Sequence, residues 1–174
     1  SMISALVGVL LLKGSMAGQD SMIGKTVPSL VGKEWLNAGK PITWADRKGK
    51  VTIVHFWTFA CSNCKNNLGP VKRLLDSFSK EGVEVLSIHT PELPEERSVE
   101  NVKKAVEKNA IKYPVLIDGE FKNWKAWKVQ YWPTVFVVDK KLKVRSGWVG
   151  ELNYQDGGGE AKIAEVVTQL LAEK

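Results

Sequence analysis

Thiols and imidazoles are scarce in this chain: its 174 residues hold two cysteines and two histidines. So few cysteines exclude a disulfide-stapled scaffold and a four-thiolate zinc site. Long apolar runs are missing too. The stretch from Ile3 to Leu12 falls short of the roughly 20 apolar residues that cross a bilayer, which excludes a multi-span membrane protein. Nor is charge of one sign gathered anywhere. The 25 Lys+Arg and 19 Asp+Glu leave a net +6, but bases alternate with acids, as in Lys72-Arg73-Leu74-Leu75-Asp76 and Lys103-Lys104-Ala105-Val106-Glu107. No nucleic-acid partner is expected from such patterning. What is present is a globular balance, 44% hydrophobic and 25% charged, at a length that favours one domain with its own core. Tryptophan is plentiful, with seven, several of them where a groove could form.

Ser1-Met2 reads as a cloning scar. Ser15-Met16-Ala17 has the small-x-small form of a signal-peptidase site, although no basic segment precedes the apolar run. Residues 1–24 are therefore expected to be an N-terminal apolar segment and linker, a signal-peptide remnant or a tether. Residues 25–174 are expected to be the folded domain. Export to the periplasm or another extracytoplasmic compartment follows from that reading. An apolar helix packed on the body or on a neighbouring molecule is the alternative.

From Gly18 to Lys50, Pro28, Gly32 and Gly39-Lys40-Pro41 punctuate the chain, so short strands and turns are expected. Val51 to Trp57 is β-branched and aromatic, the pattern of a buried central strand. After Cys64 the period becomes helical, with Leu68, Val71, Leu74, Leu75 and Phe78 on one face. Gly82 ends that helix, and Val83 to Ile88 alternates as a strand. A helix with Val99, Val102, Val106 and Ala110 inward follows, then a strand from Pro114 to Ile117. Phe121, Trp124 and Trp127 suit a short helix, with both tryptophans in the core. Two strands, Thr134–Val138 and Lys143–Val149, flank a turn at Asp139-Lys140-Lys141. Gly157-Gly158-Gly159 is expected to be a flexible loop. A last helix carries Ile163, Val166, Val167, Leu170 and Leu171 on one face. Alternating strands and helices predict an α/β fold: a mixed central sheet, parallel in its core, with helices on both faces and an antiparallel hairpin near the end.

Both cysteines lie in one C-x-x-C, Cys61-Ser62-Asn63-Cys64, between the central strand and the first helical turn. Unpaired N–H groups and the helix dipole favour negative charge there. Such positions lower a cysteine pKa to roughly 3.5–7.5. The thiolate is the species that attacks a disulfide. Cys61 is thus expected to be the exposed nucleophile, and Cys64, one turn on, the shielded resolving thiol. Redox-active Cys61–Cys64 is the only cofactor-like group expected. No metal site is expected, because zinc would need two more ligands and only His55 and His89 are available.

Phe56-Trp57-Thr58-Phe59-Ala60-Cys61-Ser62-Asn63-Cys64 resembles the thioredoxin superfamily, especially its exported TlpA-like branch. The likeness is tighter to the thioredoxin-like domain of DipZ-type proteins. Trp35-Leu36-Asn37, Gly49-Lys50-Val51, His89-Thr90-Pro91-Glu92, Tyr113-Pro114 and Tyr131-Trp132-Pro133 extend it over roughly residues 25 to 172. The resemblance implies a thioredoxin-like fold with an N-terminal extension, and thiol–disulfide exchange on protein substrates. It further implies that Pro133 is a cis-proline beside the dithiol. Trp132 then lines the substrate groove, Trp57 floors the site, and Ser62 and Asn63 face the substrate. Two positions depart from the family. Gly69 stands where a helix-bending proline is usual and Pro70 follows, so a bend is expected one residue later. His55 stands six residues before Cys61, where thioredoxins bury an Asp, and is a candidate proton relay for Cys64. His89 is read as a loop or capping residue.

The leading reading is a protein-disulfide reductase fed by a membrane-borne electron donor. Thr58-Phe59-Ala60-Cys61 also fits the Thr-x-x-Cys of thiol peroxidases, though Val54 replaces their usual proline. A copper or zinc carrier built on Cys61, Cys64 and a histidine is the non-enzyme alternative.

Overall fold

A computed structural model describes residues 17–174. The apolar run from Ile3 to Leu12, and with it the expected tether, lies outside the described residues. Among the described residues no helix is long and apolar enough to cross a membrane.

The elements run in the expected order. A short helix α1 (Ala17–Asp20) and a short strand β1 (Trp35–Leu36) precede the central strand β2 (Thr52–Trp57). Then come α2 (Ser62–Phe78), β3 (Glu84–His89), α3 (Val99–Lys108), β4 (Val115–Ile117), α4 (Lys122–Ala126), β5 (Thr134–Val138), β6 (Val144–Val149) and α5 (Gly159–Ala172). The sheet order is β1-β4-β3-β2-β5-β6. β2, β3 and β4 are parallel, while β1, β5 and β6 pair antiparallel with their neighbours.

Every residue of β2 is buried, because both faces of the central strand are covered. On one face Ile53, Trp57, Val135 and Val137 meet Leu68 and Val71 of α2, Val102 and Val106 of α3, and Ile163 and Val167 of α5. On the other, Val54, Phe56, Leu86 and Phe136 meet Trp124 and Trp127, with Met22, Val27 and Trp44 from the N-terminal segment. Helices thus cover both faces of a mixed sheet.

Two local expectations change. Val99 is 39% exposed and Ala110 lies at the surface, so only Val102 and Val106 carry the inner face of α3. Val99 is the first residue of that helix, and Ala110 lies beyond its end, at positive φ. The triple glycine is not a flexible loop. Gly158 caps α5 at φ 72° and the Gly159 N–H donates to Leu152 O at 2.6 Å, in a turn that leaves no room for a side chain at Gly159. α2 runs as one helix through Pro70, the position of the expected bend. Gly69 helps explain this, since a Cβ before proline disfavours helical backbone and glycine has none.

Candidate active site

β2 ends at Trp57 and α2 starts at Ser62, so Thr58 to Cys61 form a loop at the C-terminal edge of the sheet. In open α/β sheets this edge is where sites gather. Cys61 is the N-cap residue of α2. Its Sγ accepts the backbone N–H of Cys64 at 3.2 Å, so the sulfur takes one of the donors that a helix start leaves unpaired. Both thiols are free, Cys61 half-buried and Cys64 fully buried. Burial pushes the Cys64 thiol well up, the hydrogen bond with Cys61 adds to the rise, and the Thr58 backbone opposes it. The two sulfurs thus sit in different environments one helical turn apart. Ser62 and Asn63 between them are exposed.

Trp57 is wholly buried and packs edge-on to His89 at 5.1 Å between ring centroids. It shares the buried cluster of Cys64, beneath the surface a substrate would meet. The Trp132–Pro133 bond is cis. Trp132 is half-buried, stacked near Trp124 at 4.1 Å, and donates its indole N–H to Thr90 O at 2.8 Å. Pro133 O accepts the N–H of Gly150 at 2.8 Å, and Gly150 O in turn accepts from the Asn67 amide at 3.3 Å. A chain of hydrogen bonds therefore joins the cis-proline turn to the dithiol helix. Beside Asn63 lies a groove of about 340 Å³, lined by Trp148, Val149, Gly150, Glu151 and Tyr154.

His55 is fully buried on the same face of β2 as Trp57, their rings nearly parallel at 6.4 Å. Neither of its ring nitrogens has a hydrogen-bond partner among the described residues. Burial lowers its pKa to about 3, so the imidazole is neutral near pH 7. His89 is buried as well. Burial lowers it to about 4, against the pull of Glu96. Its Nε2 accepts the Phe59 N–H at 3.2 Å, a loop-holding role. Among the described residues no group of three or more His, Cys, Asp or Glu is arranged to hold a metal ion.

Residues 23–146 match the AhpC/TSA family. The chain belongs to that family. Within this broad thioredoxin-like group it is similar to DipZ of Mycobacterium tuberculosis, 33% identical over 132 residues. That match takes in 74% of this chain but only 19% of DipZ. It is also similar to the thiol-disulfide oxidoreductase ResA of Bacillus thuringiensis, 31% identical over 150 residues, which are 86% of this chain and 83% of ResA. A solved thioredoxin-like superfamily protein superposes with a TM-score of 0.78 at 23% identity, over 86% of this chain and 97% of its own. The thioredoxin-like fold expected from the motifs is the fold the AhpC/TSA chain has.

Sequence reasoning did not find two residues that shape this site. Glu96, in a 3₁₀ turn at Pro94–Arg97, is 1% exposed and binds the loop before Cys61. Asn67 is fully buried and accepts the Leu152 N–H at 2.8 Å, tying α2 to the chain after β6. Glu96 lies in a run of acids that reads as solvated surface. Asn67 could have been found, since an asparagine on the first inward turn after Cys64 interrupts an apolar stripe.

Proposed function

We propose that this thiol–disulfide oxidoreductase acts as a reductase of protein disulfides, with Cys61 attacking and Cys64 resolving. The observation that carries the reading is the Cys64 N–H placed on Cys61 Sγ at 3.2 Å, with Cys64 buried behind it. The sulfur at the helix start is the one a substrate disulfide can reach, and the buried Cys64 behind it is placed to resolve. The Cys61 thiolate attacks one sulfur of the substrate disulfide. A Cys61–substrate S–S bond forms, the substrate S–S bond breaks, and the departing sulfur leaves as thiolate and takes a proton. Cys64 then loses its proton and attacks Cys61 Sγ, which releases the second substrate thiol. The substrate has gained two electrons and two protons, and the enzyme holds a Cys61–Cys64 disulfide. An external dithiol donor must reduce that disulfide before the next turnover. His55 is neutral but hydrogen-bonds to no described residue, and burial leaves it a weak base, so in the second step it takes the Cys64 proton only through a bridging water. Trp132, Ser62 and Asn63 form the surface on which an extended substrate segment rests, with the buried Pro133 shaping the turn that presents Trp132.

The domain works outside the cytoplasm, fed by a membrane-borne donor. The apolar run from Ile3 to Leu12, the small-x-small Ser15-Met16-Ala17 and the likeness to ResA and DipZ support this setting. A reporter fusion active only after export tests it. For the chemistry, the decisive measurement is the midpoint potential of the Cys61–Cys64 couple together with turnover on a protein disulfide. A value near about −270 mV accompanies a reductase, and one near about −120 mV would assign an oxidant instead. The peroxidase reading is disfavoured by one observation: the Thr58 hydroxyl donates to Glu96, so its proton is not free to orient a peroxide. Peroxide consumption by the reduced protein, with no disulfide reduction, would restore it.

A further inference from the structure

The loop from Thr58 to Cys61 has left the sheet, so its backbone donors need partners elsewhere. Two of them find partners at the end of β3 and in the segment that follows it. The Phe59 N–H goes to His89 Nε2 at 3.2 Å and the Ala60 N–H to Glu96 Oε2 at 2.9 Å. The Thr58 hydroxyl donates to the same Glu96 oxygen. Trp57 O accepts the Thr90 N–H at 3.0 Å, which closes the seam. The other Glu96 oxygen accepts the N–H groups of Leu93 at 2.8 Å and Glu92 at 3.2 Å. One carboxylate thus serves four donors, two on its own turn and two on the loop that leads into Cys61.

This arrangement favours an ionised acceptor. Three backbone N–H groups, which can only donate, and the Thr58 hydroxyl converge on its two oxygens. Burial pushes the Glu96 carboxyl up, but the donors of Thr58, Ala60 and Leu93 outweigh it and hold the group below its ordinary value. Glutamine keeps the shape, yet its NH₂ must face either the Glu92 and Leu93 N–H groups or the Ala60 N–H beside the Thr58 hydroxyl. Aspartate is one methylene shorter and cannot span both pairs. Thr58 extends the connection, for its backbone acts on Cys64 while its hydroxyl is held by Glu96.

We propose that Glu96, acting with His89 through Thr58 and Ala60, is a positioning residue for the dithiol: it sets the loop that delivers Cys61 from the segment after β3. The inference rests on the reading of Cys61–Cys64 as the reacting pair. Reacting groups displaced by about 1 Å lose up to roughly 100-fold in rate, so a loosened loop shows first in turnover.

The test compares wild type, Glu96→Gln, Thr58→Val and Thr58→Ser, each as the full chain with dithiothreitol as donor and insulin as the disulfide probe. Circular dichroism and urea unfolding establish that each variant folds. Glu96→Gln is expected to lower kcat about 10-fold or more with KM within about twofold, since the loop and not the substrate surface has changed. Thr58→Val is expected to reproduce part of that loss, and Thr58→Ser to recover most of what Thr58→Val loses. The double variant Glu96→Gln/Thr58→Val is expected to fall short of the product of the single effects, as coupled residues do. Val144→Ala, a core truncation in β6 at the opposite end of the sheet from the loop, separates stability from positioning by keeping its kcat. A folded Glu96→Gln with wild-type kcat and a wild-type rate of Cys61 alkylation by iodoacetamide overturns the proposal. If Glu96→Gln does not fold, Thr58→Val and Thr58→Ser decide it by the same criteria. Should wild type reduce no disulfide, the functional reading falls, and the Cys61 alkylation rate of Glu96→Gln against wild type decides the positioning role by itself.

Discussion

The backbone N–H of Cys64 donates to Cys61 Sγ at 3.2 Å, so the buried residue of the pair supports the accessible one. The contact exists because Cys61 is the N-cap of α2 and Cys64 occupies the third helical position, where a cap's side chain finds its donor. The sulfur takes the place that a serine oxygen takes in other helices.

That asymmetry sets the order of reaction. Alkylation of the reduced protein at mildly acidic pH is expected to modify Cys61 first, and Cys64 only after unfolding. In Cys64→Ser a mixed disulfide with substrate is expected to accumulate through Cys61. Peptide mapping by mass spectrometry checks both, and preferential labelling of Cys64 would reverse the assignment.

His55→Asn tests the relay. Asparagine keeps some hydrogen-bonding capacity and comparable size but supplies no base. The first step, formation of the Cys61 mixed disulfide, is expected to keep its rate. Resolution by Cys64 is expected to slow by roughly 10- to 100-fold, the lower part of the range for general-base catalysis. Stopped-flow kinetics from pH 5 to 8 on the folded variant reads the two steps separately. Equal resolution rates make His55 a core residue only.

Acid is expected to weaken the fold well above the carboxylate range. Folded His89 and His55 titrate at about 4 and about 3, whereas an unfolded imidazole titrates at 6.5. Between those values the unfolded chain binds more protons, so stability falls as pH falls. The contribution is fully present above pH 6.5 and is lost toward the folded values. Its steepest slope is roughly 1.4 kcal/mol per pH unit for each histidine. Glu96, Asp139 and Glu160 are held low and lose their contribution only below ordinary values of 4.5, 3.8 and 4.5. Urea midpoints between pH 7 and 5 therefore isolate the histidines, and replacing either by Asn is expected to flatten the slope.

Gly159→Ala is expected to destabilise by roughly 1–3 kcal/mol, the usual cost of overpacking. A Cβ there would stand 2.7 Å from Trp148 Cε2 and 2.9 Å from Leu152 Cα, a ring and a backbone that cannot swing away. Urea unfolding measures the loss. An unchanged midpoint would mean that the turn before α5 yields easily.

Much was legible along the chain because its signals are local. The β-branched run at β2, the helical stripe from Leu68 to Phe78, and the stop at Gly82 each depend on neighbours in sequence, and those elements formed where expected. The C-x-x-C is legible for the same reason, since a cap and its donor lie three residues apart. The exposed Val99 and the packed Gly159 were not legible. A helix end and a tight turn are decided by what lies against them.

By itself, then, the sequence determined the order of strands and helices and the pair of thiols at a strand-to-helix corner. The tertiary structure decided everything that bonds across long separations. Glu96 reaches Ala60 across 36 residues, Asn67 reaches Leu152 across 85, and His55 lies inside the sheet face with neither nitrogen partnered among the described residues. Periodicity records which side of an element is apolar. It does not record which buried polar group meets which donor, because that pairing is settled only when the parallel strands and their crossover helices bring distant segments to one edge.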